Sequence, residues 1–556
     1  MHHVLKRFAS NHPLERLDQG IEQSGHLKST TLWDTSGILP QNFTSPPLLP
    51  GLLASVKDIL GPDARPTSIQ ALSLKHLFHS TLGKWHEFLL ASETGSGKSM
   101  AYLLPMLQNL KATEQAPRPP PQHAVNPRAL VLAPTHELSR QLAGFAKALL
   151  HREKLRVLCA SRANVPNSGG RASQMAAEQQ LAGDGEGEFT VSAGGKSRPV
   201  DVLVGTPAKV LEMAKGRGWD WERKDKEKAE KEGRNIEDTW ERDEKGRKIR
   251  SSDKERRPWV PGTPEMGLEG IEWVIVDEAD VLFDPDFQES TRMLLADIAS
   301  ARGTPVPFDP ADAILSKPSQ PPTTAPEATP AFTYPFNLIL TTATIPSSLA
   351  SYLATHHPTL TRLASPRLHR LPTTLQTEYA HWTGGNRNAD IERRIRRVWA
   401  EDATKSTGGR SRVLVFCNRS TKVEDLGHYL EEKGIANVAL TSTGAARKRG
   451  SNHHLDGFLR TPLNAEAAEP KKEGSVKELP YVMITTSLLS RGLDFAPSIK
   501  HVFIMDEPRN MVDFLHRAGR SGRAGERGKV VIFGKMSGRG SDSTREVRKK
   551  VGALAA

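Results

Sequence analysis

Short runs of apolar, often β-branched residues recur along the chain, each closed by a small or polar turn. They fall at Ala129–Ala133, Val200–Gly205, Trp273–Val276, Asn337–Thr341, Arg412–Phe416, Tyr481–Thr485, His501–Met505 and Lys529–Phe533. The runs are unbroken rather than alternating, which is how strands covered on both faces read. Helical spacing fills the intervals, as over Glu137–Leu150 and Thr421–Lys433. Alternating strands and helices predict an α/β fold of doubly wound parallel sheets, with ligands held beyond the carboxyl ends of the strands.

The segment His356–Thr374 carries Pro358, Pro366 and Pro372 and lacks helical spacing. It is expected to join two α/β domains, at 43–357 and 375–534, with 358–374 as linker. Residues 1–42 form an N-terminal extension and 535–556 a basic tail. Insertions are expected at 216–262, 303–335 and 462–480, with a smaller proline-rich loop at Pro117–Pro127. Over Gly216–Pro258, 28 of 43 residues are charged, 15 basic and 13 acidic, so this stretch has no apolar face to bury and reads as solvated, a frayed helix at most. Nine prolines among the 33 residues of Gly303–Pro335 exclude regular structure there. All read as surface insertions.

Composition narrows the partners. With 76 Lys+Arg against 64 Asp+Glu, the net charge of +12 favours an acidic partner, nucleic acid above all. Two cysteines, Cys159 and Cys417, exclude a disulfide scaffold and any multi-cysteine zinc site. No apolar run approaches the roughly 20 residues a membrane span requires.

Two segments carry chemistry. Ala91-Ser-Glu-Thr-Gly-Ser-Gly-Lys-Ser99 follows an expected strand, His86–Leu90, and precedes a helix. Its glycines let backbone N–H groups curl around phosphates, and the helix N-terminus adds positive field. Ser92, Glu93, Thr94, Gly95, Ser96, Gly97, Lys98 and Ser99 are therefore the expected ATP loop. Lys98 would reach the β and γ phosphates and Ser99 would join the Mg²⁺ shell. Downstream, Trp273-Val-Ile-Val-Asp-Glu-Ala-Asp280 runs an apolar strand into acids. Asp277 suits the metal, and Glu278 is placed to orient or deprotonate the attacking water.

These residues resemble the DEAD-box RNA helicases, whose motifs follow here in family order over nearly all of Phe43–Phe533. Asp277–Asp280 resembles the family signature, and Arg65-Pro-Thr-Ser-Ile-Gln70 the Q motif. Pro134–Ser139, Gly169-Gly170, Gly205–Ala208, Thr342-Ala-Thr344, Val413–Asn418, Thr486 with Arg491–Asp494, and His516–Arg523 resemble the later motifs. The resemblance implies two tandem RecA-like domains with surface insertions. It implies that Gln70 reads adenine and Phe43 stacks on it, that Arg520 and Arg523 reach the γ-phosphate, and that Asp494 touches the ribose or these arginines. His516 and Thr342 would bond Asp280, coupling the domains together with Thr344. Pro134, Thr135, Glu137, Gly170, Thr206, Pro207 and Thr486 would hold RNA by its backbone, blind to sequence.

Four positions depart from the family pattern: His136 stands for Arg, Thr342 for Ser, and Lys448 and Ser451 for the usual Gln and Arg. This last segment, with Asp277–Glu289 and Thr342–Pro346, looks like the fungal mitochondrial DEAD-box helicase linked to large-ribosomal-subunit assembly. The expected protein is thus a monomeric, RNA-stimulated ATPase of the mitochondrial matrix. It would act on large-subunit ribosomal RNA among pre-ribosomal proteins, with no membrane partner. Met1–Pro13 carries Lys6 and Arg7 with no acid until Glu15, compatible with a transit peptide. The alternatives are a nucleolar or cytosolic helicase, an ATP-gated RNA clamp without unwinding, and a DNA motor.

Overall fold

The computed structural model describes residues 39–78, 84–116, 123–160, 199–221, 240–242, 248–250, 262–309, 331–366, 368, 371, most of 374–535, 549 and 551, with breaks that include 405–409, 442–454, 460–479, 491–492 and 523–525. All counts below refer to these residues. In the first domain the strands are β1 (Glu87–Ala91), β2 (Ala129–Leu132), β3 (Val157–Ala160), β4 (Val202–Gly205), β5 (Trp240–Arg242), β6 (Lys248–Arg250), β7 (Trp273–Val276), β8 (Asn337–Thr342) and β9 (Thr361–Ala364). Seven of them form one parallel sheet in the order β3-β4-β2-β7-β8-β1-β9. In the second domain β10 (Leu375–His381), β11 (Arg412–Cys417), β12 (Asn437–Leu440), β13 (Val482–Thr486), β14 (Ile499–Ile504) and β15 (Gly528–Gly534) form a parallel sheet ordered β10-β15-β14-β11-β13-β12. The interior strands β2, β4 and β7 are buried throughout, as the unbroken apolar runs require.

Two boundaries differ from expectation. Thr361–Ala364, assigned to the linker, is an edge strand paired parallel to β1, so the first domain runs past residue 357. Four residues with one fully buried leucine, Leu363, suffice for a strand where an ordered neighbour offers its free edge. Within the charged insertion β5 pairs antiparallel with β6, Trp221 is helical, and the rest of the frayed helix expected there lies outside the described residues. Its neck is closed: Gly262 N donates to Arg217 O at 3.0 Å, and a side chain at Gly216 would run into the Gly262 carbonyl. In the segment read as a basic tail, Val551 is fully buried in the core.

Strand order brings the chemistry together. β8 lies between β1 and β7. The phosphate-type loop leaves β1 and the acids leave β7, so the end of β8 sits between them. Successive residues of a strand face opposite ways. Thr341 and Thr342 therefore serve different neighbours.

Candidate functional site

The loop after β1 is shaped by its glycines. Gly95 and Gly97 have φ of 81° and 85°, a region hostile to other residues, and a Cβ at Gly97 would also run into the Gln70 amide. Ser92 N donates to Thr342 O at 3.0 Å, tying the loop to β8, and Ser92 Oγ lies 2.5 Å from Ser96 Oγ. Lys98 opens the helix Lys98–Ala112 and donates to the carbonyls of Ser92 (2.7 Å) and Glu93 (3.0 Å). Burial lowers the Lys98 pKa, Arg520 adds to that, and Glu278, Asp277 and Glu93 oppose it. Lys98 therefore lies within the field of residues from both domains.

Gln70 holds the loop from outside. Its Nε2 donates to Gly97 O at 3.2 Å, and its Oε1 accepts from Thr67 N at 2.9 Å, closing a capping box on the helix Ser68–Leu77. Thr67 Oγ1 donates to Ser96 O at 2.7 Å. Phe43, expected beside the base, is only 4% exposed and packs in the core with Leu48 and Leu52, so here the ring has a packing role.

The acids after β7 are held by neutral donors. Tyr102 Oη donates to Asp277 Oδ2 at 3.1 Å, the Thr341 hydroxyl donates to Asp277 Oδ1, and Glu278 N donates to the same oxygen at 3.0 Å. Burial raises the Tyr102 pKa well above its ordinary value, the neighbouring Asp277 adds to that, and Ser99 opposes it. Burial first, then the neighbouring Glu278, pushes the Asp277 carboxyl up to about 6, with Thr341 and Lys98 pulling against them. Glu278 has φ 51° and ψ 53°, the left-handed region a glutamate rarely adopts, and caps the short helix Ala279–Leu282. Its side chain is buried, and Oε2 has no hydrogen-bond partner among the described residues. A strained backbone with an unsatisfied buried oxygen is costly, and such costs gather at reactive sites.

Asp280 is where the domains meet. Thr342 Oγ1 lies 3.0 Å from Asp280 Oδ1 and Thr344 Oγ1 3.0 Å from Oδ2, both within the first domain. His516 Nε2, from the helix Met511–Ala518 of the second domain, lies 2.9 Å from Asp280 Oδ2, with both side chains about 1% exposed. A carboxylate only accepts, so this imidazole nitrogen carries the proton. Thr94 Oγ1 donates to Gly519 O at 3.3 Å, and a side chain at Gly519 would strike Thr94. Arg520 donates to His516 O (2.9 Å) and Leu493 O (3.2 Å). Arg517 faces inward instead, bonded to Asp513, Ser487, Asn418 and Asp506 O.

The expected RNA residues stand at the carboxyl ends of β2, β4 and β13. Thr135 caps the helix His136–Leu149, accepting from Leu138 N at 3.3 Å, with Pro134 before it and Glu137 fully buried. Thr206 is the N-cap of Pro207–Lys215, with Pro207 its first residue. Thr486 ends β13. Asp494 reaches the first domain through its backbone: Gln141 Nε2 donates to Asp494 O at 3.1 Å, and Asp494 N donates to Gln141 Oε1 at 2.8 Å. Gly170, Arg523, Lys448 and Ser451 lie outside the described residues. Tyr102, Thr341 and Gln141 escaped the sequence reading. A tyrosine in an apolar helix and a threonine in an apolar strand look like core, and only packing shows that their hydroxyls reach Asp277.

Comparison with known proteins agrees with this geometry. The DEAD/DEAH box helicase family matches residues 67–231, and the helicase conserved C-terminal domain matches 398–525. A relative from Cryptococcus neoformans var. neoformans serotype D (strain B-3501A), named a mitochondrial ATP-dependent RNA helicase MRH4, is 32% identical, covering 91% of this chain and 85% of that protein. The chain belongs to the DEAD-box RNA helicases. It is an RNA-stimulated ATPase of this family, and its named relatives place it in the mitochondrion. An MRH4 helicase of Phaeosphaeria nodorum (strain SN15) is 28% identical over 92% of this chain and 71% of its own. Among solved structures, DEAD-box Mss116p bound to single-stranded RNA and AMP-PNP aligns with TM-score 0.56 at 15% identity, covering 92% of this chain and 76% of that one. S. cerevisiae Dbp5 bound to RNA and ADP BeF3 aligns at 0.54 with 18% identity, covering 92% and 94%. These two likenesses carry the helicase fold.

Proposed function

We propose that this helicase clamps and locally remodels large-subunit ribosomal RNA in the mitochondrial matrix, using ATP bound between its two domains. The observation that carries the ATP-coupled part is the Asp280–His516 contact, buried and 2.9 Å long, between the acid segment of one domain and the arginine-bearing helix of the other. Groups that meet only when the domains close make closure and catalytic competence one variable. In this reading Lys98 and the loop Ser92–Ser99 hold the phosphates, Gln70 reads adenine, and Arg520 with Arg523 steadies the γ-phosphate. Glu278 orients water for attack. Its unsatisfied Oε2 supports that role, since a water there would supply the missing partner.

The donor set suits Mg²⁺. Hard carboxylate and hydroxyl oxygens, such as those of Asp277 and Ser99, are its preferred ligands, and Asp277 is already held by Tyr102. Bound there, the ion would neutralise phosphate charge. RNA would lie over Pro134, Thr135, Glu137, Gly170, Thr206, Pro207 and Thr486, where helix N-termini suit phosphate. A site built from such groups reads backbone, so the choice of ribosomal RNA would come from the assembly particle and its proteins rather than from base contacts. The protein acts as a monomer. The ribosomal target is supported by the likeness of residues 277–289 and 342–346 to the fungal mitochondrial assembly helicase.

The test is ultraviolet crosslinking of tagged protein in intact mitochondria of the source organism. Enrichment of large-subunit ribosomal RNA in the matrix fraction is expected. Enrichment of messenger RNA, or recovery of the protein from the nucleolus or cytosol, would contradict the assignment.

A further inference from the structure

The two hydrogen bonds between Gln141 and Asp494 join residues 353 positions apart and on different domains. Gln141 lies one turn beyond Glu137 on the helix His136–Leu149, the helix whose first turn carries the expected RNA contacts. Its carboxamide pairs with the main chain of Asp494 as a neighbouring strand would, one donor and one acceptor. The contact therefore depends on where that backbone lies and not on which side chain stands there.

The same peptide unit does more. Its N–H is that of Asp494, given to Gln141 Oε1 at 2.8 Å, and its carbonyl is that of Leu493, which accepts from Arg520 Nη1 at 3.2 Å. Gln141, one peptide group and Arg520 thus form an unbroken hydrogen-bond chain from the RNA-side helix to the arginine beside the ATP loop. Bonds in series polarise one another, so each strengthens the next. Leu493 and Phe495, on either side of Asp494, are buried.

We propose that Gln141 is a positioning residue that couples RNA engagement to the placement of Arg520. It is complete only with the domains closed, and it touches neither ligand. This rests on the RNA-side assignment of the helix, and the experiment separates the two.

Two variants grade the loss. Gln141→Glu keeps the acceptor for Asp494 N but sets a carboxylate against the Asp494 carbonyl. Gln141→Met removes both bonds at similar size. Single-stranded RNA affinity is measured with and without a non-hydrolysable ATP analogue, and turnover at saturating RNA alongside. With the analogue, RNA affinity should fall about tenfold for Gln141→Met, the scale of losing two partly exposed neutral bonds, and turnover should fall with it. Gln141→Glu should differ from both wild type and Gln141→Met. RNA affinity without nucleotide, analogue affinity without RNA, and the unfolding midpoint should stay at wild-type values. An equal fall in RNA affinity with and without nucleotide would make Gln141 an RNA contact and overturn the proposal. So would wild-type coupling in Gln141→Met. Failure of the RNA-site reading itself would look different: in wild type, the analogue would not change RNA affinity.

Discussion

The two walls of the cleft are built on opposite plans. In the first domain the acids are held ready. Asp277 receives Tyr102 and Thr341, and Asp280 receives Thr342 and Thr344, all from the same sheet and its helices. In the second domain Arg517 faces inward, bonded to its own domain, and its neighbours His516 and Gly519 touch the other half. One wall fixes the charges where the reaction needs them. The other delivers its groups only on closure, so ATP chemistry can depend on whatever drives closure. Preorganised dipoles of the first kind need no rearrangement when the reaction begins.

The contrast can be broken at several points. The largest effect belongs to Glu278→Gln, which should lower turnover by roughly 10²–10⁴-fold if the residue is the general base, while RNA still binds in the presence of ATP. Parallel turnover and RNA-binding assays decide it, and loss of RNA binding as well would remove the assigned role. Next is Arg517→Met. It leaves the Asp513 carboxylate, about 6% exposed, without its countercharge and with only the Ser487 hydroxyl, so the second domain should lose about 3–5 kcal/mol. Denaturant unfolding should then resolve an earlier transition, whereas an unmoved midpoint would mean that the inward-facing network contributes little.

A smaller effect sharpens the account of the first wall. The Asp277 carboxyl, raised from 3.8 to about 6, binds its proton more tightly folded than unfolded. Its ionisation therefore costs stability, a cost complete above about pH 6 and gone below about pH 4. Asp277→Asn should abolish turnover yet raise the melting temperature by a few degrees at pH 7.5 and by less at pH 4.5. Calorimetry at the two pH values checks this, and an equal gain at both would show that the charge is not what costs stability. Smallest is Gln70→Ala, whose amide also braces the ATP loop through Gly97. Preference for ATP over GTP in a competition assay should shrink several-fold, the scale of one lost hydrogen bond. Undiminished preference would leave Gln70 with a bracing role alone.

Most of the fold was legible because its interior strands are. All nine interior strands of the two sheets coincide with the unbroken apolar runs, His86–Leu90 included. The four that escaped, β3, β9, β10 and β12, are the four sheet edges. An edge strand has one neighbour and a half-covered surface, so it mixes polar residues. β10 reads Leu-Gln-Thr-Glu-Tyr-Ala-His and no residue in it is fully buried. For the same reason Thr361–Ala364, with one fully buried leucine, reads as linker in the sequence. The loops and acids were readable from residue types at fixed spacing. Tyr102, Thr341 and Gln141 were not, because each acts on a residue brought near only by packing. The domain-crossing pairs are separated by more than 200 residues of chain.

The most direct measurement is ATP hydrolysis by the purified protein alone, with single-stranded RNA, and with DNA of the same sequence. A first wall held ready and a second wall delivered by RNA-driven closure predict low basal turnover raised by RNA and not by DNA. Turnover that ignores nucleic acid, or that rises equally with DNA, would contradict it.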